Sequence, residues 1–150
     1  MQFKSKVIGD AGKSVVVPAN EALQLENVRV PVEAITDDTT LTAEDSGKTY
    51  LLDAIGEVIT LPAVSAGLNY KFRCTAAVTP SSWTIVAAAN VIEGYAAVGY
   101  ATVPAVNENT ISIVTGKAIA GDEVSIFSDG TSWFVSGTGS VAASITFTVA

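Results

Sequence analysis

Apolar and polar residues alternate in short runs along most of this chain, and turn-forming residues cut the runs at close intervals. The runs Ser14 to Pro18, Asn27 to Pro31, Tyr50 to Asp53, Val58 to Pro62, Asn69 to Cys74, Trp83 to Val86, Thr110 to Thr115 and Ser144 to Val149 are rich in Val, Ile, Thr and aromatic residues, and Gly, Pro, Asn, Asp or Ser bounds them. A period of two puts successive side chains on opposite faces of a strand, so the pattern predicts an all-β chain. No segment carries an apolar stripe at helical spacing. The nearest, Ala19 to Glu26, follows Pro18 and has Asn20 to cap it, enough for one turn.

The clearest element is Glu123 to Ser128, then Asp129-Gly130, then Thr131 to Ser136. Asp-Gly supplies the positive φ angles of a two-residue type I′ turn, and both flanks alternate, so a β-hairpin is expected here. A second hairpin or corner is expected at Ala66-Gly67-Leu68, between the Val58 and Tyr70 strands. The first 36 residues carry more charge at less regular spacing, and Thr36-Asp37-Asp38-Thr39 reads as a hinge. The expected organisation is an arm or small β-appendage over residues 1–36 and a main domain over 37–150, the alternative being one continuous sandwich that begins with the first hairpin. No fixed-period repeat is present, which argues against a solenoid.

Composition sharpens the picture. A chain of 150 residues suits one core, able to bury about 70% of its unfolded surface. It is 49% hydrophobic and only 15% charged, with mean hydropathy +0.43, so part of its apolar surface is expected to meet another subunit. Between Arg73 and Glu108 the only charged residue is Glu93. Charge depletion with aromatics marks interface centres, so Tyr95, Val98 and Tyr100 are the candidate subunit contacts, against the alternative of a loop folded over its own core. The net charge of -7 argues against nucleic acid, which needs clustered Lys and Arg. The basic exception is Lys4, Lys6 and Lys13, opposed only by Asp10 and able to meet an acidic partner. Trp83 to Val106 is apolar but interrupted by Asn90, Glu93, Gly94, Gly99 and Pro104, so no membrane span is expected.

Candidate chemistry is sparse. The chain has no histidine, which removes Ser-His-Asp, Cys-His and ordinary zinc arrangements. Cys74 is the only cysteine, and the alternation of Tyr70 to Cys74 makes it core filler. Gly9 to Ser14 lacks the first glycine of a phosphate loop, where Val7 stands, and Ser46 to Thr49 has Thr42 at that place, so a polar β-turn is expected there. Gly137-Thr138-Gly139-Ser140 opens no helix and reads as flexible linker glycines. The doublets Asp37-Asp38, Glu44-Asp45 and Asp122-Glu123 point to opposite faces on a strand and match no spaced calcium loop, so turn-forming acids are expected. Asp53 and Glu57 are the pair to test for hydrolysis. Trp83 and Trp133 read as core anchors, with sugar stacking as the lesser role. No catalytic residue, cofactor or metal site is expected.

Three stretches together carry a resemblance: Leu41 to Tyr50 with its Asp-Ser-Gly-Lys turn, Ile59-Thr60-Leu61-Pro62-Ala63, and Gly121 to Trp133 with its Asp-Gly-x-x-Trp end, joined by Gly67, Tyr70 and Phe72. This pattern over the last two-thirds of the chain resembles a module of tailed-phage virion proteins, found in capsid decoration (cement) proteins and in tail-fibre or tailspike accessories. The resemblance implies an antiparallel β-sandwich or β-tulip-like barrel with an N-terminal arm, usually trimeric. It implies a protein made in the host cytoplasm that sits on the capsid surface, binds the major capsid protein across capsomers and clamps the expanded shell. On this expectation Phe3, Lys4, Lys6 and Lys13 form the capsid contact of the arm. The alternative is a tail-fibre or baseplate module that binds host surface glycans.

Overall fold

A computed structural model describes residues 29–150, and every described element but one short turn is a strand. Strands β1 (Val32–Ile35), β3 (Thr49–Leu52), β5 (Asn69–Cys74), β7 (Ile92–Val98), β8 (Ala101–Glu108), β10 (Glu123–Ser128) and β11 (Trp133–Gly139) form a seven-stranded sheet in the order β1-β3-β5-β10-β11-β7-β8. Strands β2 (Thr39–Thr40), β4 (Val58–Thr60), β6 (Trp83–Val86), β9 (Thr110–Ile113) and β12 (Ile145–Thr148) form a five-stranded sheet in the order β12-β9-β6-β4-β2. The protein is therefore an all-β, sandwich-like fold of two mixed sheets that do not close into a barrel.

The expected antiparallel architecture needs correction. Five strand pairings are parallel and five antiparallel. The cause is a short coil: from β1 to β6 the chain alternates between the sheets, laying each strand parallel beside the one two elements earlier. Register partners along the coil are unequally spaced in sequence, Val32 with Thr49 and Thr49 with Lys71 in one sheet, Thr39 with Ile59 and Val58 with Thr84 in the other. Solenoid-like winding is thus present without a sequence repeat.

Alternation decides which face each strand buries. Tyr50, Leu52, Phe72, Cys74, Val124, Ile126, Trp133 and Val135 point inward from the larger sheet, and Ile59, Trp83, Ile85, Ile111, Ile113 and Ile145 from the smaller, all buried. Burying such large side chains is the main stabilising term, about 1.5–3 kcal/mol for each aliphatic or Phe side chain. Both tryptophans are fully buried anchors, and the Trp83 indole N–H donates to the Asp53 carbonyl at 3.1 Å. Tyr70 reaches across to donate its hydroxyl to the Thr42 carbonyl at 2.7 Å.

Within the described part of the expected arm, residues 29–36, Val32–Ile35 is the edge strand of the larger sheet, with Ile35 buried, so these four residues pack as part of the sheet. The expected hinge at Thr36 to Thr39 carries the chain from one sheet to the other, and Asp38 accepts from the Val58 N–H there at 2.8 Å. Ala66-Gly67-Leu68 is a corner between sheets, since β4 and β5 lie on different ones. The strand readings at Ser14 to Pro18 and the turn at Ala19 to Glu26 lie outside the described residues.

The Glu123 hairpin forms, with a different turn from the expected one. Ser128 pairs with Trp133, which leaves a four-residue loop, Asp129 to Ser132, in place of a two-residue turn. The Asp129 carboxylate explains it, accepting from the N–H groups of Thr131 at 2.7 Å and Ser132 at 2.9 Å, while Gly130 takes φ +99. A register shift of two residues keeps every side chain on its face, so Trp133 still points inward.

Candidate functional site

Strand register fixes what stands on the outer face of the seven-stranded sheet. Facing outward in one row across the strands are Asn69, Phe127, Phe134 and Glu93, and in the next Thr49, Lys71, Ser125, Ser136, Tyr95 and Pro104. Phe127 and Phe134 are direct cross-strand partners, 48% and 46% exposed. They wall a groove of about 450 Å³ whose opposite side includes Val30, with Lys71, Ser125 and Ser136 along it. Lys71 ion-pairs with Glu123 at 3.3 Å, and Glu123 also accepts from Arg73 Nε at 3.0 Å, which holds the Glu123 carboxyl below its usual range.

At the far edge of the same sheet lie the interface candidates. Tyr95 stands on the outer face and Tyr100 projects from the β7–β8 turn, wholly exposed, next to Gly99 at φ +60. Val98 does not join them. It alternates inward with Ala96 and is fully buried, so it is a core residue and offers nothing to a partner. Val106, on the edge strand β8, is exposed and extends the apolar rim. Phe3, Lys4, Lys6 and Lys13 lie outside the described residues.

Sequence reasoning missed Val30, Lys71, Phe127 and Phe134. The signal was available for the two phenylalanines: Phe127 follows inward Ile126 and Phe134 follows inward Trp133, so alternation sends both outward. What alternation alone does not reveal is that β10 and β11 sit at the centre of the sheet, where outward aromatics make a shared surface.

Several other polar groups make contacts within the fold. Asp45 accepts from the Thr42 N–H and hydroxyl, both at 2.8 Å, and from Lys48 at 2.7 Å; the Lys48 ammonium above all holds its carboxyl down to about 2. Lys48 also reaches Glu33 at 2.8 Å, tying β1 to the turn before β3. Buried Asp122 accepts from the N–H groups of Ser140 at 2.9 Å and Ile119 at 3.3 Å. Burial, helped by the charge of Asp122, pushes the Cys74 thiol up to about 12. Burial also raises Glu57, and a hydrogen bond to Asp38 adds to this. Asp53 accepts from the Ile55 N–H at 2.9 Å, a turn contact. Among the described residues no group of three or more His, Cys, Asp or Glu is placed to hold a metal ion, and no helix is long and apolar enough to cross a membrane.

Gly137 and Gly139, expected as linker glycines, are buried residues of β11. A Cβ on Gly137 would press on Ala96 of the neighbouring strand and on Ile145 of the smaller sheet, and one on Gly139 would collide with the Ser144 hydroxyl. Each glycine marks a close approach that a side chain would obstruct.

Fold and surface together define a two-sheet β-protein whose larger sheet turns Phe127, Phe134 and Tyr95 outward beside the ion-paired Lys71 and Glu123. Comparison with known protein families, curated proteins and solved structures finds no match to this chain.

Proposed function

We propose that this protein is a virion structural protein that decorates the expanded capsid of a tailed phage as a homotrimer, binding the major capsid protein across capsomers and stabilising the shell. The observation that carries the reading is the set of outward apolar groups Tyr95, Tyr100 and Val106 at one side of the larger sheet, in the stretch between Arg73 and Glu108 where Glu93 is the one charge. Aromatic enrichment with charge depletion is the signature of an interface centre. Weak contacts repeated over a shell gain strength through multivalency. The acidic body, at net charge -7, is repelled by packaged DNA.

On this reading Tyr95 and Tyr100 meet neighbouring copies, and Phe3, Lys4, Lys6 and Lys13 grip the shell. The test is co-sedimentation of the purified protein with expanded shells that lack it. Saturable binding is expected, weakened by deletion of Met1 to Lys13 with the oligomer left intact. Full binding by the truncated protein removes the arm from the mechanism, and no binding by the intact protein removes the capsid reading.

A further inference from the structure

We infer that Pro104 is a stop built into the edge of the larger sheet, one that keeps β8 from taking up a strand of a second copy of this chain. This inference does not depend on the capsid reading. Strand β8 ends the seven-stranded sheet on one side, and among the described strands only β7 pairs with it. β12, an edge of the smaller sheet, approaches β8 but forms no ladder with it. An edge strand carries a row of unpaired N–H and C=O groups, and a long, apolar one is a template for further pairing. The other edge strands are short: β1 and β12 have four residues each and β2 has two. β8 has eight, more than any other described strand, and carries no charge before its last residue, Glu108. Thr102, Pro104 and Val106 are exposed along it.

Register fixes which way Pro104 turns its backbone. In an antiparallel pair, hydrogen-bonded positions that exchange two N–H···O bonds alternate with positions that direct these groups to the other side. Pro104 stands opposite Tyr95 and has no N–H to give, so its place is one of the second kind. Its nitrogen then faces the open side, as does the backbone of Thr102, while Val103, opposite Ala96, bonds to β7. An incoming strand therefore meets a donor at Thr102 and none at Pro104. Beyond Pro104 the edge is broken again. The register shifts where Val106 and Asn107 stand opposite Glu93, and Asn107 takes φ +53 and donates its N–H to Glu93 Oε1 at 3.2 Å. A bulge of this kind bends an edge away from straight pairing, so only residues 101–103 keep a regular open edge.

The experiment restores the missing donor in the full chain. Pro104→Val supplies an N–H and a strand-favouring side chain, and sedimentation velocity over a concentration series is expected to show species beyond the wild-type mass that grow with concentration. Adding Thr102→Lys, a charge on the same edge, should return the mass to that of the wild type. A folded Pro104→Val protein, judged by its far-ultraviolet spectrum, that keeps the wild-type mass at every concentration would overturn the inference. Association that Thr102→Lys leaves unchanged would overturn it too, since the contact would then lie elsewhere. A measurement on the unaltered protein decides the matter even where the variant fails to fold: amide hydrogen exchange should be at least about tenfold faster at Thr102 than at Val103. Equal protection would mean that a strand already occupies this edge, and Pro104 would then be no stop.

Discussion

At the scale of single residues, the acidic doublet Glu44-Asp45, expected to form a turn, does so: Asp45 holds it through Thr42 and Lys48. Its carboxyl lies near 2 in the folded protein against 3.8 for the free side chain. A depressed folded value contributes stability above the unfolded value and loses it as pH falls through the folded one. Thermal melts between pH 5 and pH 2, read as a range of about three units, should therefore show a decline that the Asp45→Asn variant lacks in part. Equal slopes would remove Asp45 from the acid response. Gly139 makes a second case. Gly139→Val forces a branched side chain against Ser144, and urea denaturation should show a loss of about 1–3 kcal/mol, as overpacking a closed interior does.

At the scale of elements, legibility followed length and alternation. Asn69 to Cys74 and Trp83 to Val86 were readable to the residue because β-branched and aromatic side chains alternate with polar ones there. The sequence does not separate strands β7 and β8, since Gly94, Ala96, Ala97 and Gly99 blur the contrast between faces, and charge depletion alone does not distinguish buried Val98 from exposed Tyr95 and Tyr100. Alternation also tells which face a residue takes but not which strand lies beside it. The parallel coil of β1 to β6 stayed hidden for that reason, and with it the central position of Phe127 and Phe134. The Asp129 loop shows a further limit: Asp-Gly announced a turn, but the carboxylate bonds to Thr131 and Ser132 selected the longer loop. Asp129→Ala should cost about 0.5–2 kcal/mol, the usual effect of removing a side chain that caps backbone N–H groups, with strand register kept. Chemical denaturation measures the cost, and a neutral change would mean that the loop holds itself.

At the scale of the whole molecule, the proposed role rests on surface. A sandwich-like body whose seven-stranded face shows Phe127, Phe134, Tyr95 and Tyr100 to the outside is suited to assembly. Tyr100, wholly exposed, makes no described core contact, so Tyr100→Asp should leave the far-ultraviolet spectrum and melting temperature unchanged while reducing the native mass from trimer to monomer. An unaltered oligomer would move the interface off the β7–β8 turn. The capsid reading itself is tested most directly by counting copies of this chain against the major capsid protein in purified particles of the source phage. The account predicts a ratio within a few-fold of unity, and a handful of copies per particle, or none, would contradict it.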